Sequence, residues 1–201
     1  MKYFFLILFC ALLFTACISS PDYSPKPRGY FRIEFPKKNY QTFNNNPFYS
    51  FDFPTYAFMY LDSADGYHPN WYNLTFPRFN ARLHLSYYSI HSKEEFNKLV
   101  EDSRKLAFKH TVKATGIDEG QIAEPDKNLY GIFYTIDGNT ASSAQFYLTD
   151  STKHFLRAAL YFNEKPQPDS IQPVLDFIKT DIDKMIKTFK WKEPQQSPKN
   201  D

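Results

Sequence analysis

Two thiols are the first candidates for chemistry in this chain, and both lie near its start, at Cys10 and Cys17. A thiol can serve as nucleophile, metal ligand, disulfide partner or acceptor of a covalent group. The next candidates are the histidines His68, His84, His91, His110 and His154. His84 and His91 straddle the end of an alternating segment, which sends them to opposite faces, so they do not read as a metal pair. Asp150, Ser151 and His154 cluster tightly and carry the three side-chain types of a Ser-His-Asp hydrolase. That chemistry needs a histidine oriented by a buried carboxylate and a preorganised oxyanion hole, and a hairpin tip is expected to offer neither. Asp62 and Asp65 bracket a single turn, a poor ligand set for calcium. The chain has no GxSxG, HExxH, phosphate-loop or dinucleotide fingerprint. The residues nominate no catalytic, cofactor or metal site, and point away from an enzyme.

The thiols find their meaning in the opening stretch MKYFFLILFCALLFTACISS. Lys2 supplies a positive charge, and the apolar run Tyr3 to Phe14 is shorter than the about 20 residues a spanning helix needs. A short apolar run behind a basic start reads as a secretory signal over residues 1–16. Thr15 and Ala16 then place small side chains before Cys17. The run Phe14-Thr15-Ala16-Cys17 resembles the lipobox of bacterial lipoproteins; Ala16 and Cys17 match well, while Phe14 stands where Leu is usual. The resemblance implies cleavage before Cys17, a diacylglycerol thioether on its sulfur, and a fatty acid such as palmitate on the new amino group. An ordinary signal with a free Cys17 is the competing reading; an uncleaved anchor fits the short run poorly. Burial contributes about 0.8 kcal/mol per CH2, so two or three acyl chains hold a protein on a bilayer almost permanently. Cys10 would leave with the signal, and the processed chain would have no disulfide and no thiolate metal site.

The elements beyond Cys17 begin with a tether. Residues 17–29, rich in Pro, Ser and charge, reach roughly 20 Å as a coil. Residues 30–191 read as one domain, and 192–201 as a disordered polar tail. The formal charge of +2 gives no hint of nucleic acid or of an acidic partner. With 21 Phe and 15 Tyr against 6 Gly, the composition suits an aromatic-rich sheet and not a glycine-rich phosphate cradle.

Strict alternation predicts strands at Tyr30–Phe35 and Arg82–Ile90. Aromatic runs ending at proline predict others within Phe48–Leu61 and at Trp71–Phe76. Ser92 and Glu95 form a capping box that opens a helix to about His110. Leu129–Asp137, Ser143–Thr149 and Phe155–Phe162 read as a three-strand meander, joined at Asp137-Gly138-Asn139 and Asp150-Ser151-Thr152. The last helix is capped at Asp169 or Ser170, holds Pro173 in its first turn, and buries one stripe from Ile171 to Phe189; Lys179, Asp181, Lys184 and Lys187 lie off that stripe. Trp71 and Tyr30, on the polar faces of their strands, are candidate contact aromatics; packing of both under a helix or loop is the competing reading.

This order predicts an α+β fold: a mostly antiparallel sheet with two main helices, in a three-layer α/β/α sandwich. The layout is similar to the PsbP-like fold. The stretches SPKPRGYFRIEFP, PRFNARLHLSYYSI and AQFYLTDSTKHFLRAALYFNEKPQPDSIQPVLDFIKTDIDKMIKTFKW, with the lipobox, resemble the gliding motility lipoprotein GldD family over nearly the whole processed chain. That resemblance implies a lipid-anchored envelope protein connected with surface gliding and type IX secretion. Only Cys17, as lipid acceptor, carries over. The expected partners are a membrane, through the lipid, and other envelope proteins of that machinery, with no nucleic acid and no small-molecule substrate. The expected location is the cell envelope, facing the periplasm. An envelope hydrolase would instead need a deep pocket with opposed carboxylates, and a small-ligand module a large apolar cavity. Asp62-Ser63-Ala64, Asp150-Ser151-Thr152 and Asp169-Ser170-Ile171 resemble the Asp-Ser/Thr-apolar acceptor of a periplasmic O-glycosylation system. Ser63 and Ser151 are the candidates there, although these triplets also read as turns and a helix cap.

Overall fold

Alternation and β-branched or aromatic content decide where this chain is extended, and hydrogen-bonded ladders decide the order. The computed structural model describes residues 32–63, 68–163 and 168–193. The chain falls into two units, Met1–Ile33 and Glu34–Asp201. Of the first only Arg32 and Ile33 are described, and neither belongs to a helix or strand. The second runs β1 (Tyr40–Phe43), β2 (Tyr49–Pro54), β3 (Phe58–Leu61), β4 (Tyr72–Phe76), β5 (Ala81–Ser89), α1 (Lys93–Phe108), β6 (Ala114–Glu124), β7 (Leu129–Gly138), β8 (Ser142–Thr149), β9 (His154–Phe162), α2 (Pro168–Thr188) and β10 (Lys190–Trp191).

Seven strands form one antiparallel sheet in the order β3-β4-β5-β9-β8-β7-β6. The middle strands carry apolar residues on both faces because both faces are covered. All of β8 is buried. Tyr134, Ile136, Tyr147 and Phe155 point to the side where Phe96, Leu99 and Val100 of α1 pack. Phe133 and Phe146 stack at 5.7 Å on the opposite side, where Phe133 shares a cleft with Ile186 of α2. The second sheet, β1-β2-β10, joins α2 in that layer. Phe189 stacks on Tyr49 at 5.7 Å and on Phe51 at 6.1 Å, and Phe48 stacks on Tyr87 of β5 at 4.5 Å. The fold is α+β with antiparallel sheets and two main helices, in three layers. Burying a side chain such as Leu83 or Leu156, both 0% exposed, contributes about 2 kcal/mol.

The capping box forms at α1. Ser92 Oγ accepts from the Glu95 N–H at 3.1 Å, and the Glu95 carboxylate accepts from the His91 N–H at 2.9 Å. The fold differs from the sequence reading in other places. Tyr30 and Phe31 lie outside the described residues, and Arg32–Phe35 form no strand. Side-chain packing takes the place of a ladder there: Phe35 stacks on Phe177 of α2 at 4.4 Å. The meander has four strands because β6 precedes it. No residue of β6 is buried, so its sequence lacks the alternation that marks a half-buried strand. Helix α2 begins at Pro168, so Pro173 stands beyond the first turn; the side chains of Asp169 and Ser170 lie outside the described residues. Lys192, assigned to the tail by composition, is held: its N–H donates to Phe48 O at 2.7 Å, and its Nζ donates to Asn44 O and Asn46 O at 2.8 Å each.

Candidate functional site

Among the described residues, the cluster with the side chains of a hydrolase sits on the tight turn between β8 and β9. Asp150 is buried there, at 7% exposure, which the turn position alone did not predict. Its Oδ1 accepts from the backbone N–H groups of Thr152, Lys153 and His154 at 3.0, 2.8 and 2.8 Å. Burial pushes this carboxyl up, but those N–H donors outweigh it and hold it below its usual range. The His154 ring is not oriented by Asp150. Its Nδ1 pairs with the Tyr87 hydroxyl at 2.7 Å, and its face stacks on Trp191 at 5.2 Å. Burial lowers its pKa, only partly countered by Asp150. Ser151 adopts a left-handed conformation, φ 65°, and is exposed. The carboxylate therefore closes the turn, the histidine fills a buried aromatic site, and Ser151 is left exposed.

A second ionic cluster was not legible at all. Asp181, on the supposedly solvent side of α2, is 2% exposed. Lys38 Nζ donates to its Oδ1 at 2.7 Å and to Phe177 O at 2.7 Å. Tyr40 OH donates to the same Oδ1 at 3.0 Å, and Tyr56 OH makes a short hydrogen bond to Oδ2. Burial, and then the bond to Asp181, pushes the Tyr40 hydroxyl up to about 12; the same causes raise Tyr56. The helical period marks only the stripe facing the large sheet. The segment leading into β1 covers a second side of α2, and a pattern within one helix cannot report that.

A third network lies across β3, β4 and β5. Asn73 Nδ2 donates to Asp62 Oδ1 at 3.1 Å, and Asn73 Oδ1 meets His84 Nδ1 at 2.9 Å. Burial lowers the His84 pKa, and Asp62 partly restores it. Trp71, read as a contact aromatic, is instead tied down: its Nε1–H donates to Tyr87 O at 3.0 Å, and its ring stacks on His68 at 3.9 Å. The other nominee, Tyr30, lies outside the described residues.

Cys17 also lies outside the described residues. Ser63 and Ser151 are both exposed, Ser63 just beyond β3 and Ser151 on the β8–β9 turn. The sequence read Asp65 with Asp62 as a turn, and Asp65 is outside the described residues. Among the described residues no group of three or more His, Cys, Asp or Glu side chains could hold a metal ion, and no helix is long and apolar enough to cross a membrane.

Fold and side chains together define a class of protein: an α+β sandwich whose known charged and aromatic clusters close turns and clamp elements. The family described as gliding motility lipoprotein GldD matches residues 20–191, and the chain belongs to this family. The solution structure of cyanobacterial PsbP (CyanoP) from Synechocystis sp. PCC 6803 is similar, with a TM-score of 0.42 at 12% identity, over 78% of this chain and 94% of that one. No curated protein matches the chain.

Proposed function

We propose that this chain is a lipid-anchored accessory protein of the gliding and type IX secretion machinery, facing the periplasm and acting by binding rather than catalysis. The reading is carried by one observation: the family match begins at residue 20, three positions after the cysteine of the lipobox-like Phe14-Thr15-Ala16-Cys17. Residues 1–16 would be removed, Cys17 would carry the acyl chains, residues 17–29 would tether a domain that begins at residue 30 and ends at the held Lys192, and the residues after it would trail. Two or three buried acyl chains make such attachment effectively permanent. A binding role is supported by the use of Asp150, His154 and Asp181 within the domain. Ser63 and Ser151 remain our candidates for O-glycosylation, each exposed next to an aspartate.

Crosslinking in native membranes followed by co-purification tests this. The proposal expects recovery of envelope proteins of the motility machinery with the wild type, and their loss with Cys17→Ser. Equal recovery with both forms would show that the anchor has no part in assembly. An intact mass equal to peptide plus lipid would remove glycosylation.

A further inference from the structure

The two edges of the seven-stranded sheet are unlike. At one end, β6 is protected as edges usually are: it carries Asp118, Glu119 and Glu124, and its register slips between Ala114 and Gly116. At the other end, β3 reads Phe58-Met59-Tyr60-Leu61, with no charge, no proline and an unbroken register against β4. Phe58 is 50% exposed, Tyr60 56% and Leu61 41%. Among the described residues no charge, proline or bulge guards this apolar edge, and such an edge is a template for another strand.

The hydrogen bonding says which groups are on offer. The Asp62 N–H donates to Trp71 O at 2.9 Å, so this is a hydrogen-bonded pair of the β3–β4 ladder. Such pairs alternate in an antiparallel ladder. Tyr60 and Phe58 therefore also face β4, while the N–H and C=O groups of Met59 and Leu61 point away from the sheet. A groove of about 450 Å³ is lined by Phe58, Met59 and Tyr60 of β3 together with Gln41, Phe43 and Tyr72. No Asp, Glu, Lys, Arg or His lines it.

We infer that β3 is a docking edge for one extended, uncharged polypeptide segment, added to the sheet as an eighth strand. The outward groups of Met59 and Leu61 hydrogen-bond its backbone, and aromatic or β-branched side chains at alternate positions lie on Phe58 and Tyr60. A groove of about 450 Å³ has room for a few residues of one extended segment and not for a second folded domain. A lipid surface is the wrong occupant, because hydrocarbon leaves outward N–H and C=O groups without partners. The uncharged lining selects against acidic and basic segments. This inference does not depend on the anchor.

The test uses the full-length chain in detergent micelles and a phage library of random linear octapeptides. Enrichment of uncharged, alternating aromatic or β-branched sequences is expected, and a synthetic copy should slow amide exchange at Met59 and Leu61. Leu61→Pro removes an outward donor without touching the β4 ladder, and should weaken binding about tenfold, the size of one lost hydrogen bond. Leu61→Thr, which keeps the N–H, should bind at least several-fold better than Leu61→Pro. If Leu61→Pro fails to fold, N-methylating alternate amides of the peptide asks the same question from the ligand, and should also abolish binding. Three results would overturn the inference: no enrichment, equal loss in both Leu61 variants, or protection of Met59 and Leu61 by phosphatidylcholine nanodiscs without peptide.

Discussion

Asp181 shows how much one buried carboxylate can organise. It gathers Lys38, Tyr40 and Tyr56 onto α2, and so fixes the residues where the chain enters β1. Removing one partner of a buried pair strands the other, at a cost of about 3 kcal/mol. Asp181→Ala should lower stability by that amount in urea unfolding, whereas Glu101→Ala, on an exposed pair with Lys105, should leave the urea midpoint unchanged. The tyrosines add a signature in alkali. The Tyr40 hydroxyl is raised from 10.0 to about 12, so the folded chain keeps a proton that the unfolded chain has lost. Stability therefore falls as pH climbs from 10 towards 12, and a Tyr40→Phe, Tyr56→Phe double variant should flatten that decline in unfolding midpoints. In acid the histidines act. His84, His110 and His154 are lowered from 6.5, in each case first by burial. The unfolded chain takes up protons that the folded chain refuses, so stability is lost as pH drops below 6.5. Replacing His154 with Gln should make that acid loss shallower. Sequence spacing exposed Asp150, Ser151 and His154 as neighbours but could not say that Asp150 binds three backbone amides. Asp181 gave no signal, because its partners are more than a hundred positions distant.

At the scale of elements, close approach and caps decide the outcome. Gly131 lies in β7 where a Cβ would sit 1.9 Å from Tyr147 O. Gly131→Ala must push β7 from β8, and should cost about 3 kcal/mol by thermal or urea unfolding. Ser92→Ala removes the acceptor for the Glu95 N–H and should cost about 1 kcal/mol. Elements with a single buried face or a cap were legible: the alternation of Arg82–Ile90 became β5, and Ser92 with Glu95 became the start of α1. Elements held by their neighbours were not. β6 is an edge with no buried residue, and β10 is two residues long, paired to β2 through Lys190 and Trp191. Tyr30–Phe35 has ideal alternation, yet Phe35 is taken by the rings of Phe177 and Phe79. A period of two states which face is apolar; it does not provide a neighbouring strand.

For the whole molecule, the proposed arrangement is a thiol-free sandwich held near a bilayer by Cys17. As a coil, the proposed tether of residues 17–29 would reach roughly 20 Å. The antiparallel α+β class was readable because helices and strands came in separate runs. A partner's surface leaves no such pattern in one chain, which is why β3 was legible as a strand and not as a docking edge. The central claim is covalent attachment at Cys17. Native cells expressing the wild type or Cys17→Ser should be fed an alkyne-bearing fatty acid, and the purified chains read by intact mass and fluorescence. The proposal predicts a chain starting at Cys17 that carries label and the added mass of acyl groups, and an unlabelled Cys17→Ser form that leaves the detergent phase. A wild type with a free Cys17 thiol and no label would contradict it.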